Sequence, residues 1–410
     1  MNAFHEELVA RLGELREQGL YRELRRIDSP QSTSIQAGGQ TLLNFSSNDY
    51  LGLANEPALR EAAIKAVEQY GSGAGSSRLI CGTLAPHAEL EETLADFKGT
   101  QAALAFSSGY AAAAGAICAL LDNNDVIVVD KLVHASLVDA ARLSGAKLRV
   151  FGHNNLDDLE KILQWADRRH EAPSLQSSAR QPRTLIVTES VFSMDGDQAP
   201  LRDLVEIKEK HGAWLMVDEA HSSGLYGPTR RGLAEELGIA NRIEIQMGTL
   251  GKAFGSAGGY ICGQRALIHL LINRARSFIF STAPVPAAAA AAIAAVHFVK
   301  SAVGEERRQR LWQNVAEVSK RLRPAAKLAG HTERFTKPSA IIPVMIGPEN
   351  KAMKIAEQLL DRGIFIPAIR FPTVSRGQAR LRLTVSAAHT PEQIAQLLAA
   401  FQAILGIAEK

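Results

Sequence analysis

Short apolar runs of strand length, separated mostly by amphipathic segments of helical length, constrain this chain more than any other feature. The runs are AALAF (102–106), DVIVVD (125–130), KLRVFG (147–152), TLIVTES (184–190), AWLMVD (213–218), IEIQMGT (243–249) and GGYICG (258–263). Segments 109–121, 135–143, 156–168 and 200–211 lie between them and place apolar residues at helical spacing. Parallel neighbours need long crossovers, and helical crossovers bury each strand on both faces, so the pattern predicts an α/β fold with a mainly parallel sheet covered by helices. After about Ala287 the pattern changes. An Ala-rich helical stretch leads to 305–328, followed by PSAIIPVMIG (338–347), a helix near 350–362, GIFIPAI (363–369), ARLRLTVS (379–386) and a helix near 391–406. A chain of 410 residues is too long for one compact module. We therefore expect a large domain over 46–290, a smaller α+β domain over 291–410, and an N-terminal helix and extension over 1–45 packing beside the small domain. The polar stretch HEAPSLQSSARQPR (170–183) reads as a surface insertion.

Charge narrows the function. Forty-six basic and 43 acidic residues leave +3, with no long block of one sign, which argues against nucleic-acid and membrane-surface partners and leaves small-molecule chemistry. In MNAFHEELVARLGELREQG, Phe4, Leu8, Leu12 and Leu15 fall at helical spacing among charges, an amphipathic helix without the apolar core of a signal peptide. The uncharged stretches Gly99 to Leu121 and Ser277 to Val299 hold Ser, Gly, Pro and Ala in place of the Leu/Ile/Phe density of a spanning helix. Cys81, Cys118 and Cys262 are far apart and form no CxxC pair, so we expect neither disulfides nor a metal site, but buried thiols in a reducing cytoplasm.

Open α/β sheets hold ligands beyond the carboxyl ends of their strands. Both nucleotide-loop patterns fail: Lys252 is followed by Ala253 without the upstream glycine of a phosphate loop, and Gly71, Gly73 and Gly75 do not follow a strand. Two other strand ends stand out. Asp218 closes AWLMVD, and Lys252 follows IEIQMGT in the glycine-rich GTLGKAFGSAGG. Alone, the first reads as a helix cap or structural ion pair. Together, an acid and a lysine at successive strand ends fit pyridoxal phosphate, the lysine as Schiff base and the acid as partner of the pyridinium nitrogen.

The segments NFSSNDYLGL (44–53), SSGYAAAAGA (107–116), DKLVHASLVDAA (130–141), VTESVFSMDGDQAPL (187–201), VDEAHSSGLYG (217–227), TLGKAFGSAGGY (249–260), FSTAPVP (280–286) and ARLRLTVSAAH (379–389) resemble the α-oxoamine synthases. These fold-type-I pyridoxal-phosphate enzymes condense an amino acid with an acyl thioester and release CO2. The resemblance implies that Lys252 carries the cofactor and moves the substrate Cα proton, that Asp218 pairs with the ring nitrogen, that His134 stacks on the ring, and that His221 donates to the phenolic oxygen. It also implies phosphate held by Ser108, Gly109 and Tyr110 at a helix start, with Ser193 and Thr249 reaching cofactor oxygens. Thr282 matches a residue that reaches the phosphate from the neighbouring subunit, so the resemblance implies a homodimer with composite sites. Asn48 and Arg382 resemble the pair that holds the amino-acid carboxylate. Outside the resemblance, Arg382 reads as a strand-edge surface charge, since Arg380 shares its face.

Within the family, PAIRFPTV (367–374) resembles the members that join L-alanine to pimeloyl-CoA or its carrier-protein thioester in biotin biosynthesis. Arg370, with Arg22 of GLYRELRR, matches positions near the far carboxylate of that chain. Phe371 departs from the proline usual there, and SRLICGT (77–83) is nearer to members that join glycine to acetyl-CoA. A non-catalytic homologous subunit is the third reading; the presence of Lys252, His134 and Asp218 argues against it.

Overall fold

The computed structural model describes residues 2–171, 180–328 and 339–406. Most of the polar insertion at 170–183 lies outside them. The first described strands, β1 (Ser34–Ala37) and β2 (Gln40–Asn44), form an antiparallel hairpin across Gly38 and Gly39, whose φ values of 58° and 77° are those of a tight two-residue turn.

Seven strands follow: β3 (Ala102–Phe106), β4 (Val126–Asp130), β5 (Lys147–Phe151), β6 (Thr184–Glu189), β7 (Trp214–Asp218), β8 (Ile245–Thr249) and β9 (Gly259–Gly263). They form one sheet in the order β3-β9-β8-β7-β6-β4-β5, with β9 alone antiparallel to its neighbours. Every residue of β4 and β6 is buried, as a strand covered on both faces must be. The crossover helices Gly109–Leu120, Ala135–Leu143, Leu156–Glu171 and Leu201–Lys210 lie where the apolar spacing puts them. Because five successive strands run parallel, their carboxyl ends share one edge, and the loops after β4, β6, β7 and β8 converge there.

The remaining strands are β10 (Ile341–Gly347), β11 (Ile364–Phe365), β12 (Ala368–Ile369) and β13 (Ala379–Thr384). β13 is the middle strand of β10-β13-β12, and β11 joins the N-terminal hairpin by pairing parallel with β2. The segment GIFIPAI thus divides between two sheets at Ile366 and Pro367, and proline has no N–H to continue a ladder. The helix Pro286–Lys300 breaks at Ser301 before Ala302–Leu328, and no single helix among the described residues is long and apolar enough to cross a membrane.

One expectation is corrected and one alternative reading is set aside. Of the three thiols only Cys262 is buried, while Cys81, on a short exposed helix, is open to solvent. Arg380 and Arg382 are not surface charges: they are 4% and 7% exposed, because β13 is central in its sheet and its face packs on the loop after β6.

Candidate active site

Asp218 ends β7 and is buried, with Oδ1 accepting the main-chain N–H of Ala220. Burial raises its pKa, and the charge of Lys252 opposes that rise. Lys252 follows β8 in a loop that packs closely on the chain at 53–54. A Cβ on Gly255 would come within 2.4 Å of the Leu53 carbonyl carbon, at a φ of 60°, which accounts for glycine there. The Lys252 amine lies 2.8 Å from His221 Nε2, and burial lowers its pKa against the opposing pull of Asp218 and Glu189. A lysine shifted this way has more of the neutral amine needed for nucleophilic and base chemistry.

His221 is buried, and burial followed by the Lys252 charge hold its pKa well below the ordinary value. Its Nδ1 lies 2.5 Å from the Tyr50 hydroxyl. Burial lifts the Tyr50 phenol to about 12, so Tyr50 keeps its proton and can donate it to Nδ1. Nε2 then carries the ring hydrogen and faces the Lys252 amine. Sequence reasoning passed over Tyr50 in NFSSNDYLGL, where it follows Ser, Asn and Asp and precedes Leu and Gly, although it is buried.

His134 caps the helix Ala135–Leu143, its Nδ1 accepting the N–H of Ser136 at 3.2 Å. It is nonetheless exposed, unlike a core histidine, and partial desolvation followed by the Lys252 charge lowers its pKa. Across the site, Arg382 donates to the Ser193 carbonyl (2.5 Å), Thr384 Oγ1 (3.1 Å) and Asn48 Oδ1 (3.0 Å). Asn48 and Arg382, 334 residues apart, are therefore in contact.

At the near end, Ser108 caps the helix Gly109–Leu120 by accepting the N–H of Ala111. A Cβ on Gly109 would touch Thr249 at 3.8 Å, which puts the helix start beside Thr249, itself bonded to the Gly258 carbonyl. Gly259 permits this approach: a Cβ there would lie 2.5 Å from the Ser108 carbonyl oxygen. Tyr110 is exposed, its hydroxyl donating to Asp139. Thr282 is exposed and, among the described residues, shares no hydrogen bond with the cluster. Arg22 is exposed too, but the preceding Tyr21 carbonyl accepts from Arg370 at 3.0 Å, so the segments carrying the two arginines meet.

The model of the family "Aminotransferase class I and II" matches residues 40–401. The chain belongs to that family. Relatives named 8-amino-7-oxononanoate synthase are 43% identical in Symbiobacterium thermophilum, over 96% of each chain, and 45% identical in Geobacter sulfurreducens, over 97% of each. A solved serine palmitoyltransferase from S. paucimobilis has a TM-score of 0.86 at 32% identity over 98% of both chains. An 8-amino-7-oxononanoate synthase from Francisella tularensis has 0.71 at 29%, covering 89% of this chain and 98% of that one. These likenesses place this class I and II aminotransferase homologue among the α-oxoamine synthases, with the fold-type-I architecture.

The residues present fit pyridoxal phosphate. A buried acid, an amine of lowered pKa, an open imidazole face and a helix N-terminus supply the partners for the ring nitrogen, the aldehyde carbon, the ring face and the phosphate.

Proposed function

We propose that this protein is an 8-amino-7-oxononanoate synthase, joining L-alanine to pimeloyl-CoA or its carrier-protein thioester in biotin biosynthesis. The observation that carries the reading is the meeting of Arg370 with the segment bearing Arg22, beside an otherwise complete α-oxoamine site, in a chain whose relatives bear that name. The reaction forms a carbon–carbon bond between the alanine Cα and the thioester carbonyl, breaks the C–S bond to release the thiol, and breaks the bond to the alanine carboxylate to release CO2.

Pyridoxal 5′-phosphate, when bound, supplies an electron sink for the pair left at Cα. Lys252 anchors it and moves the proton at the alanine Cα. The Asp218 carboxylate holds the ring nitrogen protonated; at about 4 Å and an effective dielectric near 20 such a pair is worth about 4 kcal/mol, or about three pKa units. His134 would lie on the ring face, and His221, its Nε2 hydrogen set by Tyr50, would donate to the phenolic oxygen. The main-chain N–H groups of Ser108, Gly109 and Tyr110 hold the phosphate, with Ser193 and Thr249 reaching cofactor oxygens. Arg382 and Asn48 receive the alanine carboxylate, which the planar guanidinium can bind through two parallel bonds.

The assembly we propose is a homodimer in which Thr282 completes the site of a second copy. Thr282 is flanked by exposed Phe280, 70% accessible, and the Ala283 N–H bonds the Ser76 carbonyl, bringing in the short helix with Ile80 at 78%. Covering this apolar surface favours association. The unpaired cysteines accord with a cytoplasmic setting. The deciding experiment offers alanine or glycine with a panel of acyl-CoA donors and identifies the ketone by mass. Alanine with pimeloyl-CoA is expected; preference for glycine with acetyl-CoA overturns the assignment.

A further inference from the structure

Glu189 ends β6 directly beside Asp218, the two being Cα partners in the parallel register. It is 2% exposed. Its Oε1 accepts the main-chain N–H of His134 at 2.5 Å, and the main-chain N–H of Ser193 also bonds its carboxylate. These residues belong to different loops, one after β4 and one after β6. A carboxyl group is costly to bury, and Glu189 has Asp218 beside it and the opposing charge of Lys252 within reach. Burial, then the Asp218 charge, push its pKa to about 8. Helix capping does not account for it: the Ala135–Leu143 helix takes its cap from the ring of His134 itself.

The geometry points to Glu189 as a positioning residue that fixes the His134 imidazole and the Ser193 loop against the Asp218 end of the site, one carboxylate receiving both main-chain N–H groups. His134 is then held at two points, its main-chain N–H by Glu189 and its Nδ1 by the Ser136 N–H, while the residue stays exposed. This rests on the reading of His134 as the residue lying on the cofactor ring.

The test is a double-mutant cycle on the holoenzyme with Glu189→Ala and His134→Ala, read by steady-state kinetics and by the visible circular dichroism of the bound cofactor, which reports the asymmetry around its ring. Glu189→Ala should lower kcat/KM by about 5- to 150-fold, the loss expected when buried N–H groups are left without an acceptor, and shift the dichroism toward that of His134→Ala. In the His134→Ala background the same change should cost no more than about twofold, because no ring remains to position. Glu189→Gln, whose amide oxygen still accepts the His134 N–H, should recover most of the activity. Should Glu189→Ala not accumulate, Glu189→Asp, one methylene short of both N–H groups, replaces it. Losses that multiply in full, with unchanged dichroism, refute the role of Glu189 alone. A His134→Ala enzyme with wild-type kinetics refutes the reading of His134 and the proposal with it.

Discussion

Replacing Arg370 by alanine separates the substrates most directly. Arg370 follows β12 and is half-buried; one guanidinium nitrogen donates to the Tyr21 carbonyl at 3.0 Å and another lies 3.2 Å from the Met353 sulfur. A guanidinium has five N–H donors, so this arrangement leaves a charged edge for an incoming carboxylate. A pimeloyl chain ends in a carboxylate that must leave water to bind, and a charge-assisted bond offsets that cost by about 1.5–3 kcal/mol, equivalent to about 10- to 150-fold. Arg370→Ala should therefore lose about that factor in kcat/KM for pimeloyl-CoA and change little for an uncharged acyl-CoA of the same length. Arg22→Ala should lose less on pimeloyl-CoA, since its exposed side chain works through water. The assay is initial rate with each donor at saturating alanine. Equal loss on both donors would show that Arg370 only ties the Tyr21 segment in place or meets the CoA moiety, and the reasoning from the far carboxylate would fail.

Borohydride treatment of the yellow holoenzyme should fix pyridoxal phosphate to Lys252, as read by peptide mass, and Lys252→Ala should retain the cofactor without turning over; label on another lysine contradicts the site. Asp218→Asn should keep the fold and lose about 10²- to 10³-fold in kcat, comparable to removing one electrostatic stabiliser of a transition state; near-normal turnover would leave Asp218 as a cap. A third test concerns His153, which lies between Asp130 (3.0 Å) and Asp197 (2.7 Å) and ties the end of β4 to the loops after β5 and β6. Although burial pulls its pKa down, the two carboxylates more than offset this and raise it from 6.5 to about 9. Its stabilisation is thus complete below pH 6.5 and lost as pH rises through about 9. For a partly solvated group we expect about 1–2 kcal/mol, seen as a lower urea midpoint in His153→Gln at pH 6 and little difference at pH 10; an equal gap at both pH values counts against the pairing.

The strand-length runs and the helices between them were legible because burial on both faces leaves a local mark, an unbroken apolar stretch that ends where the chain turns. The N-terminal hairpin was missed, although Gly38-Gly39 carries its signal, because its strands are short and only one edge gains a partner, from residues near 364. The side chains brought around Lys252 were legible only through motifs. Glu189 and Tyr50 stand in quoted segments, yet nothing local separates them from a strand-end acid and a core aromatic; their partners, His134 and His221, come from loops after other strands. Arg380 illustrates the limit. Alternation with Arg382 suggested solvent, but Asp195, from the loop after β6, covers it in a buried ion pair at 2.7 Å.

The short parallel pairing of β2 with β11 ties the beginning of the chain to its end. Just past it, the Ser46 hydroxyl donates to the Phe365 carbonyl across 319 residues, and the Thr384 N–H bonds the Phe45 carbonyl. Asn48 follows directly from the first of these segments and Arg382 belongs to the other, so the Asn48–Arg382 contact cannot form until the chain beyond residue 382 has left the ribosome. Contacts of such long range form late. A nascent or truncated chain therefore keeps an open strand edge where the finished protein has a clasp, and that edge is open to aggregation until synthesis is complete. The Asn48–Arg382 contact forms and this strand edge is covered in the same closing step.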